Sequence, residues 1–264
     1  VAAQAAGVAK VYKAGGSQAI AAVAHGTATI SKYAKVVGPG SPWVVAAKRL
    51  LSGLIDTGTP AGPSESIIFA DGTTDGRLAA LDLLIEAEHG ADSSCFIVTT
   101  SKDVADAALK AIPEYWKRMS EQRAGFTKSV LGSSRGGILL ARDTAEAMGF
   151  INDYAPEHLQ ILSKEPREYL DLVKNAGEIL LGEHTPSTLG NFVLGPSHVL
   201  PTGGWAKTFS ALSVHDFMKR TSVVEVAPTA YPELARHAGV IARYEGFDAH
   251  ANAVGDLRKK LLGN

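Results

Sequence analysis

Two short stretches of the chain set a carboxylate beside an imidazole: Glu86-Ala-Glu-His89 and Ala155-Pro-Glu-His158. In the first, Glu86 and His89 are three apart on a segment with helical periodicity, residues 76–89, so both side chains fall on one face and can chelate a single metal ion. In the second, Glu157 and His158 are adjacent and follow a proline, which fits a turn that aims both groups into a cleft. A metal-ligand pair and a general acid/base pair together are what a hydrolytic or redox enzyme needs. A packed core needs neither.

These pairs must be held by the elements around them, and the chain alternates. Apolar runs suited to buried strands fall at residues 10–12, 35–37, 66–70, 95–99, 137–141, 158–162 and 179–181. Helical periodicity occupies residues 17–25, 42–54, 76–89, 104–122, 144–153 and 165–175. Strand–helix alternation predicts an α/β fold with a Rossmann-like, doubly wound, mostly parallel sheet. After about Pro201 the texture changes: a Thr202-Gly-Gly-Trp205 loop is followed by helical patterns at 214–219, 231–244 and 248–262 with no further convincing strand. This predicts a small helical C-terminal domain, residues 212–264.

Composition narrows the classes. With 26 basic and 27 acidic residues the formal net charge is −1, so no bulk attraction to nucleic acid or to an anionic membrane is expected. No run of apolar residues is long enough to span a bilayer. The single cysteine, Cys95, rules out an internal disulfide framework and fits a reducing, cytoplasmic setting; inside its apolar run it reads as a core residue. The opening Val1-Ala-Ala-Gln is already helix-like, as in the continuation of a longer chain.

Three glycine turns border the elements. Ala14-Gly-Gly-Ser-Gln18 opens a helix, where backbone N–H groups suit a phosphate, although it is not a full dinucleotide fingerprint. Gly38-Pro-Gly-Ser41 also precedes a helix, and Ala61-Gly-Pro-Ser64 is the third. Turns at strand ends fit ligand binding at the carboxyl ends of an open α/β sheet. Taken alone, each is also plain turn chemistry. Of the eight histidines, His25, His184, His215 and His237 have no evident partner and read as surface or core residues.

Ala61-Gly-Pro-Ser-Glu65, Glu86-Ala-Glu-His-Gly-Ala-Asp-Ser93, Ala155-Pro-Glu-His-Leu159, Gly190-Asn191, His198-Val-Leu-Pro-Thr202 and His250-Ala-Asn-Ala-Val254 come in the order and approximate spacing of the histidinol dehydrogenase family. From Lys10 onward the chain resembles the C-terminal three-fifths or so of that family. The resemblance implies an NAD-dependent, zinc-requiring oxidation of L-histidinol to L-histidine through the aldehyde. It further implies residues 1–63 as part of a dinucleotide-binding α/β domain and residues 64–211 as part of a catalytic one. The expected assembly is an intertwined homodimer, in which the C-terminal domain supplies His250 and Glu245 to the partner's site.

By the same resemblance, His158 takes the alcohol proton and Glu157 activates water at the aldehyde stage. Ser64, His198 and Glu245 match substrate-contacting positions. Gln18 matches an NAD contact, and Ser41 stands where the family usually has Asn, also near NAD. The zinc positions, usually Gln, His, Asp and His, are here Glu86, His89, Asn191 and His250. Amide and carboxylate have exchanged places, so the set keeps one carboxylate, one amide oxygen and two imidazoles. The departures at Ser41, Glu86 and Asn191 suggest a divergent branch. Two alternatives to histidinol oxidation follow: a paralogue oxidising another small polar alcohol, such as a dihydroxypropane sulfonate, and a catalytically inactive fragment.

Overall fold

The computed structural model describes residues 1–263, which form two compact units, Val1–Phe217 and a second beginning at Met218. The first unit opens with three helices, α1 (Ala2–Ala5), α2 (Gly16–His25) and α3 (Pro42–Leu51). There follow β1 (Glu65–Ala70), α4 (Gly76–Ala87), β2 (Ser94–Thr99), α5 (Lys102–Trp116), α6 (Glu121–Leu131), β3 (Gly136–Leu140), α7 (Thr144–Tyr154), β4 (His158–Leu162), a 3-10 segment Pro166–Leu172, β5 (Glu178–Leu181) and α8 (Ser187–Phe192). The second unit is helical: α9 (Tyr231–Tyr244), α10 (Asp248–Val254) and α11 (Asp256–Leu261).

The five strands make one sheet in the order β3-β2-β1-β4-β5, and every pairing is parallel. The order reverses between β1 and β4, which is the doubly wound arrangement. Side chains alternate between two faces. Ile68, Ala70, Cys95, Ile97 and Leu162 pack beneath α4 and α5, while Ile67, Phe69, Phe96, Val98, Leu159 and Ile161 pack against Met148 and Ile151 of α7 and Tyr169. Both faces are covered, which explains why the strands read as unbroken apolar runs. Cys95, fully buried, is a core residue.

Side chains start the helices at the points where the chain leaves the sheet. Asp75 accepts from Arg77 N–H before α4, and Asp143 from Glu146 N–H before α7. Ser101 and Ser120 cap α5 and α6. The second of these caps breaks the single helix expected over residues 104–122 into two. Two expected strands are absent. Residues 10–12 find no paired neighbour among the described residues, and of residues 35–37 only Lys35 forms an isolated parallel bridge, to Asp56. Of the run 165–175 only Pro166–Leu172 is helical, as a 3-10 segment, and the expected terminal helix 248–262 breaks at Gly255. No helix among the described residues is long and apolar enough to cross a membrane.

Gly76 shows how closely α4 sits on α5. A Cβ there would lie 2.2 Å from the Val104 carbonyl oxygen, whereas one at Gly125 in α6 would meet nothing within 4 Å. Gly76→Ala therefore destabilises the fold by about 1–3 kcal/mol through overpacking. Gly125→Ala stabilises it by about 0.5–1 kcal/mol through helix propensity. Denaturant midpoints decide this; shifts of the same sign would contradict the packing.

Candidate active site

The chemistry-bearing residues collect at the amino ends of the strands. Ser64 immediately precedes β1, His158 is the first residue of β4, and Glu178 is the first of β5. This corrects the expectation of a site at the carboxyl ends. The Ala61–Ser64 turn enters β1, so its groups stand at the opposite edge of the sheet from Asp71 and Ser163.

Parallel register sets the innermost row. Ser66 pairs with His158 and His158 pairs with Glu178, so these side chains lie side by side on the face covered by α4. The imidazole is 3 % exposed, with Nδ1 3.0 Å from Glu178 Oε2. Its Nε2 lies 3.9 Å from Glu86 Oε1 and 3.9 Å from Glu157 Oε1. The chain reaches this pair through Ala155, which ends α7 in the left-handed region at φ 57° and is the one such non-glycine residue among those described. Glu157 Oε2 accepts from Glu65 N–H at 2.9 Å, which ties the Glu157–His158 pair to the start of β1.

Glu86 and His89 meet, though not within one helix. Helix α4 stops at Ala87, and His89 follows in the turn, its N–H donating to the Glu86 carbonyl. Its Nδ1 lies 3.4 Å from Glu86 Oε2 and 3.2 Å from the Ile85 carbonyl. From α8, Asn191 Nδ2 donates to Glu86 Oε1 at 2.9 Å. The Glu86 carboxylate is 1 % exposed, and among the described residues no Lys or Arg pairs with it. A buried carboxyl at a helix C-terminus, where the dipole favours positive charge, with an amide and an imidazole against its two oxygens, makes a set of groups that fits a bound cation. Among the described residues no three His, Cys, Asp or Glu groups converge as a ready cage, since the third group here is an amide.

Around this centre, Ser41, Ser64 and His89 line one cavity of about 290 Å³, with Pro39, Gly62 and Ser93. The segment after His198 is stitched to the Ala61–Ser64 turn: Thr202 Oγ1 accepts from Gly62 N–H at 2.7 Å, and Thr202 N–H donates to the Pro60 carbonyl at 3.1 Å. Gln18 is exposed on the first turn of α2, which packs on α3, and His198 is exposed. Glu245 and His250 belong to the second unit, where both are exposed and His250 lies against Phe247 at 5.2 Å between ring centroids.

Two further groups stand at the site: Glu178, which has no signal in the sequence, and Glu65, which closes the Ala61–Glu65 motif without a role of its own there. Glu178 is brought in by strand register alone. Glu65 accepts from Gly203 N–H through Oε1, while its Oε2 is buried without a partner. Crowded carboxylates in a dry site hold their protons. Burial pushes Glu157 up to about 8 against the opposing pull of His158, with Glu86 and Glu65 adding repulsion. Burial likewise raises Glu65 to about 7 and Asp82, which accepts from Gln160, to about 6. For His158 burial pulls downward, but Glu178, Glu157 and Glu86 together outweigh it and the net shift is upward.

The profile of a family described as histidinol dehydrogenase matches residues 1–258. The chain is 62 % identical over 262 residues to "Histidinol dehydrogenase homolog 2" of Mesorhizobium japonicum, covering 99 % of this chain and 60 % of that protein. It is 50 % identical over 262 residues to the histidinol dehydrogenase of a Synechocystis strain, again 99 % of this chain and 60 % of the relative. The crystal structure of histidinol dehydrogenase from Elizabethkingia anophelis superposes with a TM-score of 0.92 at 32 % identity, covering 99 % of this chain and 60 % of that one. The chain thus spans about three-fifths of the length of these relatives.

The raised carboxyls carry a stability consequence. Glu65 moves from an ordinary 4.5 to about 7, so the folded chain holds this proton more tightly than the unfolded one. The stability it contributes is full below pH 4.5 and is lost as pH rises through 7. Glu65→Gln, neutral at every pH, should show a shallower fall in thermal midpoint than the wild type over that window. Parallel curves for the two proteins would rule out the buried protonated Glu65.

Proposed function

The chain belongs to the histidinol dehydrogenase family, and from that premise we propose that the whole protein oxidises L-histidinol to L-histidine through the aldehyde, using NAD and zinc. The observation that carries the reading is the buried Glu157–His158 pair, set against Glu86, Asn191 and His89 at one edge of the sheet. The residues that would hold zinc are Glu86, His89, Asn191 and His250. Gln18 and Ser41, on the first turn of α2 and at the N-cap of α3, would hold NAD. When bound, NAD supplies the hydride acceptor and zinc the polarisation of the substrate's oxygen or amine.

The protein's own groups then move the protons. His158 takes the alcohol proton at Nε2, the ring nitrogen not engaged by Glu178. In its ionised form Glu157, made more basic by burial, holds a water against the aldehyde and takes its proton, giving the hydrate that is oxidised in the second stage. Dividing the work suits the groups: an imidazole for the alcohol, a desolvated carboxylate for the water. Ser64, His198 and Glu245 orient the substrate. An amino alcohol suits the carboxyl-lined site: Glu65, Glu86, Glu157 and Glu178 gather here, none is paired with Lys or Arg among the described residues, and a bound ammonium would favour the ionised forms of Glu65 and Glu157.

A second reading, a paralogue acting on another small polar alcohol, draws on the direct Asn191–Glu86 hydrogen bond, which joins the two exchanged positions as a matched pair. We also propose an intertwined homodimer with His250 and Glu245 supplied to the partner's site. Its support is the apolar surface left open on α9 (Leu234, Val240, Ile241 and Tyr244) and at Val223 and Val224.

Reduction of NAD by the whole protein should be fastest with histidinol in a panel that includes a dihydroxypropane sulfonate. Faster turnover of the sulfonate would replace the first reading by the second. Elemental analysis should find close to one divalent metal per chain, and His89→Ala should lose most of it. Negligible metal after growth with added zinc would refute the ligand set.

A further inference from the structure

We propose that Glu178 is the positioning residue of the site: it fixes His158 in the tautomer that carries its proton on Nδ1 and leaves Nε2 as the free base. The inference rests on the reading of His158 as the base. Glu178 and His158 are register partners at the first positions of β5 and β4, so the sheet itself sets them side by side. The Glu178 backbone N–H donates to the Glu157 carbonyl at 2.9 Å, which locks that register at its first rung. From there the side chain returns to the imidazole, with Oε2 3.0 Å from Nδ1.

A carboxylate only accepts hydrogen bonds, so the proton between them belongs to Nδ1. Both groups are buried, the Glu178 side chain at 10 % exposure. Among the described residues Glu178 has no Lys or Arg partner to draw it away. Gly190 lets α8 close over the pair: a Cβ there would sit 3.0 Å from Glu178 Oε2 and 3.2 Å from Oε1. On the far side of the ring, Nε2 stands 3.9 Å from Glu86 and Glu157, beyond hydrogen-bond reach, so its lone pair is unspent and faces the other site groups. Once Nε2 takes a proton, the same carboxylate stabilises the imidazolium. This is the work a buried acid does for a catalytic histidine in hydrolytic triads.

The test is long-range 1H–15N NMR of the whole protein labelled in its histidine rings, at a pH where the ring is neutral. The His158 signals are assigned by their loss in His158→Ala. The wild type should show protonated Nδ1 and bare Nε2; the opposite tautomer would overturn the proposal without any variant at residue 178. Glu178→Leu removes the acceptor for the Nδ1 proton and should move that proton to Nε2. It should also lower kcat by about 10²–10⁴-fold while changing KM far less. A variant that keeps the Nδ1 proton overturns the proposal whether or not activity falls. Inactivity of the wild type on every alcohol would refute the proposed function alone, and the tautomer would still decide the role of Glu178.

Discussion

The parallel register at the amino edge of the sheet is the constraint on which the site depends. Pairing Ser66 with His158 and His158 with Glu178 places a buried imidazole between two elements that cannot slide without turning every core side chain to the wrong face. Those strands are anchored by Ile67, Phe69, Leu159 and Ile161, all fully buried. A displacement of one residue would remove His158 from the α4 face and the apolar contacts with it. The core therefore holds the Glu157–His158 pair in place as a by-product of holding itself together.

Against that rigidity stands an unfavourable concentration of charge. Glu65, Glu86 and Glu157 lie close enough to repel one another in a poorly solvated site, and burial drives two of them toward the protonated state. Three features relieve this: His158 between Glu157 and Glu178, the backbone N–H groups of Glu65 and Gly203, and the Asn191 amide on Glu86. A cation near Glu86 would complete the compensation, and the C-terminus of α4 is the end of a helix that favours one. The cost accepted at the site is also conformational, in the left-handed Ala155 directly before the Pro-Glu-His run.

Much of this was legible from residue patterns, for identifiable reasons. Doubly covered strands read as continuous apolar runs, so residues 158–162 were located to the residue and the other sheet strands to within one. Residues 10–12 and 35–37 have strand-like composition, but a strand exists only where a neighbour pairs with it. The pairs Glu86–His89 and Glu157–His158 are local and visible as spacing. Glu178 is twenty positions from His158, and only register reveals the contact. The edge of the sheet was misjudged although the signal was present: the Ala61–Ser64 turn leads into a strand rather than out of one. Asn191 and Glu86 are linked across 105 positions, a contact no spacing shows.

In the proposed reaction two adjacent buried side chains divide the proton work, His158 at the alcohol and Glu157 at the aldehyde. The most direct measurement is a single turnover of the whole Glu157→Gln protein with its alcohol, trapping the aldehyde as it forms and following each reduction of NAD separately. With the roles divided in this way, the first hydride transfer is largely spared, the second is slowed and aldehyde accumulates. His158→Ala should slow the first step by about 10²–10⁴-fold. Equal loss of both steps in Glu157→Gln would contradict the division.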